Sequence, residues 1–159
     1  MHTSQPFTIG FIGLGLIGGS IAKSIRRIFP EYRIVAYDVD SAALQEAVAD
    51  GTVQEACSRI DEQFQCCSYI FLCAPVHYNI EYLPLLKQYM RPDCILTDVG
   101  SVKTDIYQAV LDQQLSDVFI GGHPMVGSER SGYSAAHDHL IENAYYFITP
   151  SSTVPQERI

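Results

Sequence analysis

The stretch from Phe7 to Asp38, FTIGFIGLGLIGGSIAKSIRRIFPEYRIVAYD, constrains the fold more than any other part of the chain. Phe7 to Ile12 is a short apolar run of buried-strand type, and it breaks into Gly13-Leu14-Gly15-Leu16-Ile17-Gly18. An apolar-periodic segment to Ile28 then predicts a helix, and Arg33 to Tyr37 predicts a second strand ending on Asp38. Strand, glycine run, helix and an acidic residue twenty positions past Gly18 together make a complete dinucleotide-binding fingerprint. Gly13 permits the tight turn, Gly15 lets the backbone approach a pyrophosphate, and Gly18 lets helix and strand pack closely. The whole run, with Leu14, Leu16 and Ile17, is assigned to the cofactor, because the helix N-terminus offers free N–H groups and a partial positive charge to phosphates. Asp38 is placed to accept hydrogen bonds from the adenosine ribose hydroxyls.

A length of 159 residues predicts one domain with a core of its own. Hydrophobic residues at 47% and charged residues at 18% describe a folded globular chain, not a disordered one. The net charge of -8 argues against a nucleic-acid partner, since no basic stripe is present to displace counterions. Arg26 and Arg27 are read as complementing the end of the first helix. Cys57, Cys66, Cys67, Cys73 and Cys94 form no CxxC and no zinc spacing, so no metal is expected. The odd count without a framework points to a reducing cytoplasm. Phe7 to Ile12 is too short for a signal peptide, and no apolar run approaches a membrane span.

Farther along, Ser41 to Ala49 predicts a helix with Ser41 as N-cap and Gly51 just past its end. Asp61 to Cys67 is a short helical piece. Ser68 to Ala74 is a third buried strand closed by Pro75, and Tyr78 to Tyr89 is helical despite Pro84. Cys94 to Thr97, Val118 to Ile120 and Ala144 to Thr149 complete six strands, with a helix from Lys103 to Leu115. Ser131 to Asn143 is ambiguous. Strands alternating with helices predict an α/β domain of Rossmann type, a doubly wound and mainly parallel sheet with helices on both faces. Residues 1–150 are read as this nucleotide-binding domain, and 151–159, of linker composition, as the start of a connection to a further domain.

In such a sheet, ligands bind at the carboxyl ends of the parallel strands. The unusual residues all follow strands: Gly13 to Gly18, Asp38, Ala74-Pro75-Val76, Gly100-Ser101 and Gly121-Gly122-His123. Ala74, Pro75, Val76 and Gly100 are therefore added to the cofactor set. His123 is the candidate for proton chemistry: two glycines allow close approach, Pro124 restrains the backbone, and an imidazole with a pKa near ~6.5 can accept a proton at neutral pH. Ser101 is expected to hydrogen-bond the histidine or a substrate hydroxyl, or to cap the following helix. His77 is a lesser candidate for the nicotinamide pocket. His137 and His139 are expected on the surface and His2 in a terminus. Lys103 is read as a solvated first-turn residue or a carboxylate contact. No GxSxG hydrolase signature occurs.

The runs IGLGLIGGS, TDVGSVK and GGHPMVGSERSG, in this order, resemble the amino-terminal domain of prephenate and arogenate dehydrogenases. The resemblance extends from Phe7 to Pro150. It implies oxidative decarboxylation in tyrosine biosynthesis: the ring alcohol loses hydride to NAD(P)⁺ while a ring carboxylate leaves as carbon dioxide. Carried over by position, His123 bonds the ring hydroxyl as base, Ser101 helps hold that hydroxyl and orient the imidazole, and Gly13, Gly15 and Gly18 form the glycine-rich run. The family continues into a mostly helical domain that makes a homodimer and completes the substrate pocket, so this chain resembles half an enzyme, inactive alone.

Asp38 with Asp40 would meet a 2′-phosphate with two carboxylates and no arginine, which favours NAD over NADP. Two rivals stand beside this reading. A β-hydroxy-acid type dehydrogenase shares the fold and first motif but does not call for His123. A non-catalytic Rossmann module sensing the NAD/NADH ratio would use neither Ser101 nor His123.

Overall fold

The computed structural model describes residues 7–159; His2 lies outside them. Among the described residues, seven strands form one sheet: β1 (Thr8–Ile12), β2 (Arg33–Tyr37), β3 (Glu55–Cys57), β4 (Tyr69–Leu72), β5 (Ile95–Asp98), β6 (Phe119–Pro124) and β7 (Tyr146–Pro150). The α-helices are α1 (Leu16–Ile28), α2 (Ser41–Ala49), α3 (Val76–Tyr89) and α4 (Thr104–Asp112). The spatial order is β3-β2-β1-β4-β5-β6-β7, parallel throughout except for β7, which pairs antiparallel with β6. This is the doubly wound, mainly parallel sheet that the alternation of patterns predicts.

Strand alternation divides the core in two. On one face Ile9, Phe11, Ile34 and Ala36 pack with residues of α1 and α2, including Ile21 and Leu44. On the other, Ile12, Val35, Ile70 and Leu96 pack with Leu83 and Leu86 of α3 and Ile106 and Val110 of α4. Neighbouring residues of β2 thus point into different cores, and each core has its own pair of helices.

Several local expectations are corrected. Asp40, not Ser41, caps α2: its backbone is extended and its carboxylate accepts from the N–H groups of Ala42 and Ala43. β3 is an additional three-residue edge strand. The short helical piece expected over Asp61 to Cys67 is present, as a 3₁₀ helix at Glu62–Cys66 capped by Asp61. β6 continues through His123 and Pro124, because β7 pairs along it from Ile120 to Pro124. The ambiguous region holds a 3₁₀ turn at Tyr133–Ala135, entered through Gly132 at φ 81°. Residues past β7 pack back on the sheet, where Val154 joins Ile95 and Ile120 in a small cluster.

The chain winds outward from β1 through β2 to β3, then crosses to the other side of β1 to begin β4. That reversal opens a crevice at the carboxyl ends of β1 and β4.

Candidate cofactor cleft and catalytic edge

The three glycines differ in what surrounds them. Gly13 has φ 97°, and a Cβ there would stand 2.6 Å from the Ala74 nitrogen, so only glycine fits the turn. A Cβ on Gly18 would collide with the Gly13 carbonyl oxygen and stand 2.8 Å from Cys73 Cβ. Around Gly15 nothing lies within 4 Å of the corresponding position. Turn, helix and β4 are therefore packed solid at two glycines and open at the third, the one read as facing a pyrophosphate. Gly15 also sits at the N-cap of α1 with no side-chain cap, leaving the helix start open to an acceptor from outside. Leu14 is fully buried, and its N–H is engaged by the Asp38 carboxylate. Leu16 and Ile17, the first residues of α1, are half-buried.

Asp38 closes one side. Its Oδ2 accepts from the Leu14 N–H at 2.5 Å and its Oδ1 from the Asp40 N–H at 2.8 Å. Each oxygen retains acceptor capacity for a further donor. Together Gly13, Gly15, Asp38, Ala74, Pro75 and Tyr78 line a cleft of about 250 Å³. A second hollow of about 720 Å³ shares Tyr37, Asp38 and Val39 with it and runs along α2 past Ser41 and Gln45. Val76 begins α3 and packs its side chain against the α3–α4 core. Asn79 is buried in the same helix and donates to the Ala74 carbonyl at 2.7 Å, holding the end of β4. Burial pushes the Cys73 thiol well up, and the Asp98 carboxylate pushes it further, so that wall of the cleft is uncharged.

At the next strand ends the sequence reading missed the central pair. Asp98, the last residue of β5, is 1% exposed. Its Oδ2 accepts from Lys103 Nζ at 2.6 Å and from the Gly100 N–H at 3.1 Å, and its Oδ1 from the Gly122 N–H at 3.2 Å. Lys103 Nζ donates further to the carbonyls of Gly100 and Gly122, each at 2.5 Å. All three ammonium protons are thus used inside the chain, which corrects the reading of Lys103 as a solvated residue; the carboxylate it contacts is Asp98 of its own chain. The TDVGSVK run shows both residues; their meeting with Gly122, nineteen and more positions away, is a tertiary event that no local pattern reports.

His123 and Ser101 each follow one of the carbonyls that converge on Lys103. His123 is half-buried and Ser101 exposed. Neither side chain has a hydrogen-bond partner among the described residues, and they do not bond each other. Ser101 does not cap α4 either, for Lys103 occupies the cap position. The glycines before His123 admit the chain itself: a Cβ on Gly122 would stand 2.6 Å from the Asp98 carbonyl oxygen and 2.7 Å from the Tyr146 hydroxyl. His77 is exposed, and its ring lies 4.0 Å from that of Tyr78, tilted at 43°. His137 and His139 are exposed, and His139 contacts Glu142 at 2.7 Å. Among the described residues, no group of three or more His, Cys, Asp or Glu could hold a metal ion. No helix there is long and apolar enough to cross a membrane.

Comparison with known proteins places this arrangement. A family model described as prephenate dehydrogenase, nucleotide-binding domain, matches residues 21–159. The chain belongs to the prephenate dehydrogenase family. It is 35% identical to a prephenate dehydrogenase of Bacillus subtilis, over 96% of this chain and 42% of that protein. Among solved structures, Synechocystis arogenate dehydrogenase superposes with a TM-score of 0.87 at 34% identity, covering 96% of this chain and 53% of the other. A prephenate dehydrogenase from A. aeolicus, in complex with hydroxyphenyl propionate and NAD⁺, superposes at 0.88 with 29% identity, covering 98% and 55%. The chain spans about half the length of these prephenate and arogenate dehydrogenases. It is a nucleotide-binding domain of an oxidoreductase family, with the Rossmann architecture its relatives share.

Proposed function

We propose that this chain is the NAD-binding half of an enzyme that oxidatively decarboxylates prephenate or arogenate in tyrosine biosynthesis. The observation that carries the reading is the single strand-end edge on which the open Gly15 turn, the Asp38 carboxylate, the free Ser101 hydroxyl and the free His123 imidazole all lie. The cofactor set is Gly13 to Gly18 for the pyrophosphate, Asp38 for the ribose, and Ala74, Pro75, Val76 and Gly100 along the crevice. Bound NAD⁺ supplies the hydride acceptor. The Asp38 carboxylate, with Asp40 two residues on and no arginine beside it in the sequence, disfavours a 2′-phosphate, which selects NAD over NADP. In support, the A. aeolicus relative is a complex with hydroxyphenyl propionate and NAD⁺.

In this reading His123 accepts the hydroxyl proton as the ring carbinol is oxidised to the ketone, and Ser101 donates a hydrogen bond to the same oxygen. The C–C bond to the ring carboxylate then breaks, carbon dioxide leaves, and its electron pair aromatises the ring. His123 returns the proton to the resulting phenolate oxygen. Aromatisation drives the reaction, so a positioned neutral imidazole suffices as base. Residues 1–150 form the NAD-binding domain, and 151–159 begin the connection to a helical domain that supplies the homodimer and the rest of the substrate pocket. The enzyme is placed in the cytoplasm, and the isolated domain is inactive. Assay of the full-length protein with NAD⁺ on prephenate and on arogenate tests the reading, and turnover of neither rejects it.

A further inference from the structure

Deepening that reading, we propose that Asp98, acting through Lys103, is the positioning residue that sets the Ser101 hydroxyl against the His123 imidazole. Ser101 and His123 belong to separate segments, the loop after β5 and the end of β6, and no bond joins their side chains. What joins the segments is one buried carboxylate and one ammonium. Asp98 holds the loop by the Gly100 N–H and the strand by the Gly122 N–H. Lys103 holds the same two residues by their carbonyls. The glycine before each of the two reactive residues is therefore gripped at both its N–H and its carbonyl, and the separation of Ser101 from His123 follows from the clasp. A buried pair of this kind is poor at adding stability compared with apolar residues but is good at fixing one geometry. The surroundings are built to admit it, since no Cβ fits at Gly122 beside the Asp98 carbonyl and the Tyr146 ring.

The consequence separates this clasp from an ordinary structural ion pair. Removing it disturbs Gly100 but leaves the Gly13 to Gly18 turn and Asp38, the main cofactor anchors of the proposed site, untouched, so that cofactor binding is largely kept while turnover is lost. The test compares Asp98→Asn, Lys103→Met and the double variant in the full-length protein, by steady-state kinetics and thermal unfolding. Each single change is expected to lower kcat about 100-fold, as loosened reactive groups do, with KM for NAD⁺ within about threefold. The double variant leaves no uncompensated charge; it is expected to recover the thermal midpoint but not kcat. Lys103→Arg keeps the charge pair, yet its planar fork cannot meet three converging acceptors, and it too is expected to lose kcat while folded. A folded double variant or Lys103→Arg with kcat near wild type overturns the proposal, as does a loss of NAD⁺ affinity proportional to the loss of kcat. His123→Ala is measured in parallel. If it keeps full turnover, the assignment of His123 fails by itself; if it is inactive while the clasp variants turn over normally, only the clasp proposal fails.

Discussion

The Leu14 N–H donates to the Asp38 carboxylate at 2.5 Å, joining the glycine-rich turn after β1 to the acidic residue that ends β2. Because Asp38 also accepts from Asp40, its two oxygens are oriented before any ribose arrives. The carboxylate therefore has two duties in the proposed site, ordering the turn and receiving the hydroxyls. Asp38→Asn keeps the acceptor oxygen but removes the charge. Fluorescence titration is expected to show wild-type protein preferring NADH to NADPH by about tenfold or more, roughly 1.4 kcal/mol, and the variant losing most of that preference. Equal affinity of the wild type for both nucleotides would contradict the Asp38 assignment.

Gly15 and Gly18 separate binding from folding. Gly15→Ala places a methyl in open space, so thermal stability should change by less than about 1 kcal/mol while NADH affinity falls about tenfold or more. Gly18→Ala forces a methyl against the Gly13 carbonyl and Cys73, and should cost about 1–3 kcal/mol in folding. Titration and denaturation of both variants check the contrast.

His123→Ala in the full-length protein should lower kcat by about 10²–10⁴, the usual contribution of a positioned proton acceptor. NADH binding, which draws on the other end of the crevice, should stay within about threefold. Substantial residual turnover would remove His123 from the role of base.

Asp50 gives a pH-dependent stability term away from the site. Burial works against its charge, but Lys23 at 2.8 Å, Thr52 and the Tyr133 hydroxyl at 2.9 Å together hold its carboxyl below the ordinary value. A folded value that lies below the unfolded one means stability that is full above the ordinary carboxylate range and is lost as pH falls through the lower folded value. Asp50→Asn should therefore cost about 1 kcal/mol at pH 7, allowing for the exposure of the pair. Denaturant midpoints of wild type and variant should converge on acidification below the carboxylate range. A difference that persists unchanged in acid would show that packing, not charge, is responsible.

Local chemistry made much of this fold legible. β2 and α2 stand at Arg33–Tyr37 and Ser41–Ala49, as their patterns predict, because alternation and a polar cap are encoded within a few residues. The cap is not readable in the same way, because Asp40 and Ser41 are both good capping residues and only the extended backbone at Asp40 decides between them. β3 escaped because three edge residues have no period to detect. The direction of β7 and the length of β6 depend on pairing between distant segments, which composition does not carry. The same holds at the site: glycines, Asp38 and the strand-end positions of Ser101 and His123 are readable from spacing, whereas the Asp98–Lys103 clasp exists only once β5 and β6 lie side by side.

The close fit of Gly13 and Gly18 against Cys73 and Ala74 leaves the glycine turn with almost no room to vary. Val39, Ser41 and Gln45, on either side of the Asp40 cap and along the hollow of α2, are under no such restraint and are all exposed. An engineer seeking NADPH dependence would accordingly leave the turn alone and introduce basic side chains at Ser41 or Gln45. Natural drift faces the same asymmetry: residues along α2 can wander while the glycine turn between β1 and α1 stays fixed.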